Sequence, residues 1–230
     1  MRKILALAVL VGLGVSAHPA SANSITYNFS GTQAGLPVSG FASFTTLTDE
    51  VQISLTNSTV NPTSVAQNLS DLSFTLSTGQ NSGSIRSSSG QELTVNSGGS
   101  FTNGPTVSTG WAISPLGLTL NVLGTPEAPA HTVIGSPDPA TNTYSNANGS
   151  IAGNGAHNPF LFGTVTFDLT VLGVTSASDV TSATFSFGTT EGSDLPGTPG
   201  APVPEPATLL LLGSSMVGLG LARRRRNRAR

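Results

Sequence analysis

The sequence predicts an all-β protein built around an antiparallel β-sandwich of the jelly-roll kind. Apolar and polar residues alternate with a period of two in short runs between residues 25 and 187, as strands with one buried face require. No apolar stripe with the 3.6-residue helical period lies between the two apolar runs near the sequence ends. Only 9% of the 230 residues are charged, and Ser, Thr, Asn and Gly occupy most polar positions, which is typical of extracellular β-proteins.

The expected strands each have one apolar face and one Ser/Thr face. They are predicted at 25–29, 41–47, 51–56, 72–77, 93–95, 116–122, 165–171 and 183–187. Strands of this kind bury one side and hydrate the other, as antiparallel sheets do. Their number and the turns between them favour two sheets packed face to face, with a β-barrel as the alternative architecture. A solenoid would need a fixed sequence repeat, and the chain has none.

Three stretches between or after these strands are expected to be irregular. Residues 78–89 are rich in Ser and Gly, and residues 124–159 are a long run of Pro, Asn and Gly. A loop of the second length is usually functional or mobile. Residues 191–202 are interpreted as a Gly/Pro linker, so that the sandwich domain is expected to occupy residues 23–190.

The N-terminal residues 1–22 have the organisation of a secretory signal peptide. Arg2 and Lys3 form a basic region, residues 4–15 are apolar, and the small residues Ala20 and Ala22 define a cleavage pattern. We expect export machinery and signal peptidase to process the chain after Ala22, so that the mature protein begins at Asn23. An uncleaved membrane anchor is the alternative.

The C-terminal residues 203–230 combine a short motif, an apolar segment and a basic tail. The motif is Val203-Pro204-Glu205-Pro206, and the sixteen uncharged residues 207–222 follow it. As a helix they would be about 24 Å long, which is short for a hydrocarbon core about 30 Å thick. The tail holds six arginines: Arg223, Arg224, Arg225, Arg226, Arg228 and Arg230. By the positive-inside rule this tail stays in the cytoplasm, and the preceding body faces outward.

This tail resembles the PEP-CTERM sorting signal of Gram-negative bacteria. The resemblance implies that an exosortase, a membrane transpeptidase, recognises Pro204, Glu205 and Pro206 together with the apolar helix and the arginines. Proteins with this signal are typically found where exopolysaccharide and biofilm matrix are made. The stretches 55–57, 71–74 and 155–189 also look similar to ectodomains that precede such tails, and this similarity implies no particular activity.

The charge of the exported body argues against nucleic acid as a partner. Between residues 23 and 202 there are ten acidic residues and one basic residue, Arg86, a net charge of about −9. Phosphate binding depends on Lys and Arg, which the body almost lacks. There is no cysteine, so no disulfide stabilises the exported chain, and its stability must come from a hydrophobic core.

Few residues of the body suggest catalysis, and we expect no enzyme activity and no cofactor. His131 and His157 could join Asp138 in a metal site, but their spacing fits no known short pattern, and exposed loop histidines are the preferred interpretation. No G-x-S-x-G motif marks a hydrolase nucleophile. Asp49 and Glu50 are adjacent at a strand start, where they are expected to form a solvated turn.

Carbohydrate binding is the main alternative function for the body. Sugars stack on exposed aromatic side chains, and only three aromatic residues also have a polar group: Trp111, Tyr27 and Tyr144. Tyr27 alternates with apolar residues and Trp111 precedes two, so both are expected in the core. Tyr144 lies among asparagines in the long loop and is the one candidate ligand-binding residue.

Taken together, these patterns predict an exported protein with a structural or adhesive role. Its precursor would be anchored in the inner membrane, and exosortase would then deliver it to the cell surface or the extracellular matrix. Exopolysaccharide is the further partner that this location suggests. The alternatives are a carbohydrate-binding module and, as a third interpretation, a glycoside hydrolase that uses only carboxylates.

Overall fold

The alternating segments form strands that account for most of the residues described here. The computed structural model describes residues 22–115, 117–123, 131–189 and 192–201. Within these ranges the strands are β1 (Asn23–Gln33), β2 (Leu36–Leu47), β3 (Glu50–Asn57), β4 (Leu69–Leu76), β5 (Ser84–Val95), β6 (Phe101–Val107), β7 (Ala112–Ile113), β8 (Thr119–Asn121), β9 (Val133–Ile134), β10 (Phe160–Thr170), β11 (Val180–Phe187), β12 (Asp194–Pro196) and β13 (Thr198–Pro199). One short helix, α1 (Ala147–Ser150), and two 3₁₀ turns, Val65–Gln67 and Ser97–Gly99, complete the assignment.

The predicted all-β character is confirmed, whereas the two-sheet sandwich is not. The main path of hydrogen-bonded strands is β12-β11-β4-β9-β10-β3-β2-β1-β13, and β5 to β8 attach to it as side branches. All the strands therefore belong to one sheet. Among the described residues no helix is long and apolar enough to cross a membrane. Residues 1–21 of the predicted signal peptide 1–22 lie outside the described residues. The whole predicted sorting signal 203–230, with its membrane helix 207–222, also lies outside them.

The first three strands form a meander whose turns are set by local backbone geometry. Ala34 and Gly35 join β1 to β2 with φ values of 51° and 77°. Positive φ at both turn residues matches the right-handed twist of the two strands, and this geometry gives a tight two-residue hairpin. Asp49 closes the next turn at φ 55°, as expected. Glu50 was also expected in a solvated turn, but it is the first residue of β3 and pairs with Arg86 at 3.0 Å.

The two ends of the strand path meet in one short segment of chain. β12 pairs with β11, and after Gly197 the chain continues as β13, which pairs with β1. The rings of Phe29 in β1 and Phe185 in β11 lie 4.5 Å apart at their centroids. The Tyr27 hydroxyl donates a hydrogen bond to the Val180 carbonyl at 3.0 Å. The sheet therefore folds over so that β1 packs against β11 across the core.

Two clusters of buried side chains fill the interior. The main cluster lies between the facing parts of the sheet and includes Phe44, Ile53, Leu72, Phe167 and Phe185. Full burial of side chains of this size contributes about 1.5–3 kcal/mol each. The second, smaller cluster consists of Leu93, Val95, Ile134, Tyr144, Ala147, Ile151 and Phe160. It joins residues 134–151 of the long predicted loop to the sheet, so this part of the loop is packed rather than free.

All three segments that were expected to be irregular contain strand residues. Residues 84–89 of the stretch 78–89 belong to β5. They are ordered by pairing with β10, in which Ile85 lies opposite Leu169 and Ser87 opposite Asp168. The stretch 191–202, predicted as a linker, contains β12 and β13. In both cases the partner strand supplies the order, and the segment's own sequence has little alternation. The long stretch predicted at 124–159 also contains β9 and α1.

Candidate functional site

The predicted signal cleavage point and the chain segment that leads to the predicted sorting motif adjoin two strands that pair with each other, β1 and β13. β1 starts at Asn23, directly after the predicted signal cleavage point, and β13 ends four residues before Val203. The register places Tyr27 opposite Pro199 and Asn28 opposite Thr198 in antiparallel orientation. The start of β1 and the exit of the chain toward the sorting motif therefore lie at the same end of the molecule.

We call this end the terminal pole and define it by Asn23, the turn at 48–49, the loop 171–179 and Gly200. Contacts between these parts hold it together. The side-chain amide of Asn23 donates to the Ser178 carbonyl at 3.3 Å and to the Asp179 carboxylate. Asp49 ties its turn to the loop because its carboxylate accepts the Gly173 amide at 2.7 Å. Leu172 in this loop has 74% of its surface exposed.

The last strand segment is held to the body by close packing as well as hydrogen bonds. Leu195 packs against Gly31, where its side chain would lie 2.9 Å from any added Cβ atom. A Cβ atom at Gly197 would lie 2.8 Å from the Phe185 ring and 3.1 Å from the Tyr27 side chain. The Gly200 amide donates to the Thr26 carbonyl at 2.6 Å. The body therefore extends to Gly200, and the predicted linker 191–202 is not a free spacer over these residues.

The opposite end, which we call the loop pole, consists of the turn at 34–35, the segment 58–68 and the segment 135–159. The second core cluster lies beneath it. The Asn61 side chain joins two of these segments, because its carbonyl oxygen accepts the Ser145 amide at 2.9 Å. The backbone N–H of Asn61 also donates to the Ser136 carbonyl at 2.7 Å. The loops at this pole are thus linked to one another.

Tyr144 is buried in the loop pole, so its predicted role as an exposed stacking platform for sugars is wrong. Only 2% of its surface is exposed. Its hydroxyl donates to the Gly135 carbonyl at 2.9 Å, and its ring lies 5.8 Å from the Phe101 ring. Burial raises the pKa of the Tyr144 phenol above its usual range. The asparagines near Tyr144 in the sequence suggested an exposed position, whereas its apolar neighbours in the fold come from other segments of the chain.

The other two aromatic residues with polar groups are buried, as predicted. Trp111 is 1% exposed, and its indole N–H donates to the His131 carbonyl at 2.6 Å. Tyr27 is 3% exposed. Since the chain contains one Trp and two Tyr, all three amphipathic aromatic side chains serve the core. Sugar binding by stacking on any of them is therefore excluded in this fold.

The histidines do not form the metal cluster that was considered for them. His131 is 3% exposed, which contradicts the expectation of an exposed loop histidine. Its Nδ1 lies 2.6 Å from the Pro159 carbonyl, and its Nε2 lies 3.4 Å from the Glu92 carboxylate. A carbonyl only accepts, so Nδ1 carries the hydrogen. Asp138 instead accepts the Ala140 amide in its own turn. No group of three metal-binding side chains occurs among the described residues.

A polar groove of about 400 Å³ crosses the outer face of β8, β4, β11 and β12. Asn121 of β8 lies opposite Asp71, Asp71 opposite Ser186, and Ser186 opposite Asp194. Residues directly opposite one another project from the same face of a sheet. The groove therefore contains one row of an amide, two carboxylates and a hydroxyl. Local sequence patterns do not reveal this row, because the four residues come from four separate strands.

A second row of hydroxyl groups extends the groove along the strands. Ser73 lies between Thr119 and Thr184 in the register, and the Ser73 and Thr119 hydroxyls are 2.7 Å apart. The same three residues line an adjoining pocket of about 320 Å³. The surface offers hydrogen-bonding groups over both pockets, while no exposed Trp or Tyr side chain lies beside them.

Comparison with known proteins identifies the segment that follows the last described residue, Ala201. The family model of the PEP-CTERM protein-sorting motif matches residues 202–226, which include Pro204, Glu205, Pro206 and the first arginines of the tail. No curated protein and no solved structure matches the chain. The match agrees with the resemblance seen in the sequence. The chain therefore carries a PEP-CTERM sorting signal, which implies an exported protein that is processed by an exosortase.

Proposed function

We propose that this chain is a structural or adhesive protein of the cell surface or the extracellular matrix, delivered there by exosortase cleavage near Pro204-Glu205-Pro206. The observation that carries the proposal is the sorting motif at residues 202–226, placed directly after the last paired segment of the body. Signal peptidase would release the chain after Ala22, next to the first strand residue, Asn23. The apolar segment 207–222 and the arginine tail would hold the precursor in the inner membrane until cleavage.

The proposal is tested by replacing Pro204, Glu205 and Pro206 with alanine in cells that contain the exosortase. We expect the variant to accumulate as uncut precursor in the membrane fraction, because the recognition residues are gone while the span and arginines remain. The matched control replaces Pro126 and Glu127, a Pro-Glu pair elsewhere in the chain. This control should be processed like the wild type. Normal processing of the first variant would contradict the proposal.

A non-enzymatic role for the body agrees with the use of its charged groups in structure. Glu50 pairs with Arg86 at 3.0 Å, and the Asp168 carboxylate accepts the Ser87 hydroxyl at 2.7 Å. Asp49 and Asp138 stabilise turns. We expect the purified body to hydrolyse no matrix polysaccharide. A hydrolytic activity that disappears in Glu92→Gln, the carboxylate beside His131, would contradict this part of the proposal.

Carbohydrate binding is a second candidate function, and the polar groove across β8, β4, β11 and β12 is the observation that favours it. Amide, hydroxyl and carboxylate groups form hydrogen bonds with sugar hydroxyls, and the two adjoining pockets supply one mixed row of these groups and one row of hydroxyls. If the body binds exopolysaccharide there, Ser73→Ala combined with Thr184→Val should weaken retention on purified polysaccharide. The control, Thr56→Val, removes an exposed hydroxyl paired with Thr164 on another part of the sheet. Equal retention of both variants would exclude the groove.

A further inference from the structure

Only a very short stretch of chain separates the last paired residue of the body from the sorting motif. The Gly200 amide is bonded to the Thr26 carbonyl at 2.6 Å. Pro204 follows only four residues later, a distance of at most about 14 Å in a fully extended chain. An enzyme that binds the motif must therefore come close to the terminal pole of the body if the last strand remains paired.

We propose, resting on the proposed function, that the exosortase cleaves this chain as a folded body, with β13 still paired to β1 and the terminal pole turned toward the enzyme. The partner of this surface is thus the exosortase in its membrane, and the surface consists of the start of β1, the loop 171–179 and the exit of the chain at Gly200. The loop pole then points away from the membrane.

The position of the N-terminus supports the same orientation. Asn23 lies three residues before Thr26 on the strand that receives β13, a separation of about 10 Å along a strand. The signal cleavage point and the sorting motif therefore emerge within about 25 Å of each other at one pole. A body tethered at either point, or at both, keeps this pole at the membrane. Since β13 needs β1 as its partner, β1 must be outside the membrane before the last segment can pair.

The packing of the last segment explains why it should stay paired during cleavage. Gly197 lies against Phe185, which is fully buried, and against Tyr27. Leu195 covers Gly31 on β1. Peeling β12 and β13 from the sheet to create a longer spacer would expose these apolar side chains to water, which opposes the movement.

A disulfide that locks β13 to β1 tests the proposal directly. Asn28 and Thr198 are exposed and lie opposite each other in the register. The spacing of paired strands falls within the range that a disulfide spans. The chain contains no cysteine, so Asn28→Cys with Thr198→Cys gives a single bond in the oxidising periplasm. The matched control is Thr75→Cys with Ser182→Cys, an exposed pair that joins β4 to β11.

We expect the full-length chain with the β1–β13 disulfide to be cleaved to the same extent as the wild type in cells that contain the exosortase. Accumulation of uncut precursor that is relieved by reductant, with normal cleavage of the control pair, would overturn the inference and leave the proposed function intact. Failure of the wild type itself to be cleaved would instead overturn the proposed function and this inference together.

A second measurement needs no substitution and so does not depend on how the variants fold. The wild-type precursor, in spheroplasts that lack the exosortase, is treated with a nonspecific protease and the protected fragment is sequenced by mass. We expect its C-terminal boundary at or beyond Gly200. Cleavage between Asp194 and Gly200 while the remainder of the body resists would show that the segment is a free spacer, and would overturn the inference.

Discussion

Some polar side chains of this protein are buried, and residues from other segments of the chain supply their hydrogen-bond partners. Asn57 illustrates this, since its side-chain amide donates to the Gln67 carbonyl at 2.9 Å and the Val133 carbonyl at 3.0 Å. Its own carbonyl oxygen accepts the Thr59 amide at 3.1 Å. A buried polar group is stable only when it is hydrogen-bonded in this way. Residue type alone, which suggested a polar surface for such positions, could not reveal these partners.

Tyr144→Phe tests the structural role of the buried phenol. The substitution removes the hydrogen bond to the Gly135 carbonyl and leaves that carbonyl without its partner, so we expect a loss of about 1–2 kcal/mol in the free energy of unfolding. Urea denaturation of the purified body measures the loss. Retention on polysaccharide should not change, because the ring is enclosed. A substitution with no effect on stability and a strong effect on retention would contradict the assigned role.

The raised pKa values of Tyr27 and Tyr144 predict that the protein loses stability at alkaline pH. Burial raises the pKa of Tyr144, and burial together with the negative charge of Asp179 raises the pKa of Tyr27. In the unfolded chain the phenol titrates near pH 10. The unfolded state therefore releases protons above about pH 10 while the folded state retains them, so the unfolding free energy falls as pH rises.

The urea midpoint measured below and above this pH checks the expectation. Below about pH 10 the midpoint should be insensitive to these two groups, and above it the midpoint should decrease. Tyr144→Phe should reduce the decrease by removing one of the two phenols. An unchanged alkaline decrease in this variant would show that Tyr144 does not contribute.

Among the strands, those with a clear apolar/polar alternation in their own sequence were predicted. Strands that lack this alternation and are ordered by pairing with a neighbouring strand were not. The segments around Ile53, Phe74 and Phe167 alternate clearly, and they form β3, β4 and β10 as predicted. Four of the first six residues of β5 are serine, and this half of the strand is ordered by its pairing with β10. β12 and β13 contain two prolines and surround a glycine, which local propensity disfavours in strands.

Gly197→Ala tests whether the last segment is an integral part of the fold. The added Cβ atom would lie 2.8 Å from the Phe185 ring, so either the ring or the segment must shift. We expect a loss of about 1–3 kcal/mol in stability, as for overpacked cores, and faster proteolysis between residues 192 and 201. Gly153→Ala is the matched control, because no atom lies within 4 Å of its added Cβ. Equal behaviour of both variants would contradict the assigned packing.

At the scale of the whole molecule, the sorting signal could be read from the sequence and its relation to the body could not. The motif, the apolar segment and the arginines are contiguous, so their pattern is complete in one stretch of chain. The proximity of Asn23 to the exit of the chain at Gly200 depends on the pairing of β1 with β13, whose paired residues are at least 170 positions apart. Such a pairing leaves no trace in local periodicity. The same limit applies to the polar groove, which four strands build together.

The proposed delivery of this protein requires removal of the C-terminal segment after export. The most direct test is the intact mass of the mature protein, purified from cells with the exosortase and, as a control, from cells without it. We expect a mature chain that starts at Asn23 and lacks the residues beyond Pro204-Glu205-Pro206, and a heavier precursor in the control. A protein of the same mass in both cells, with its terminal arginines retained, would contradict the proposed delivery.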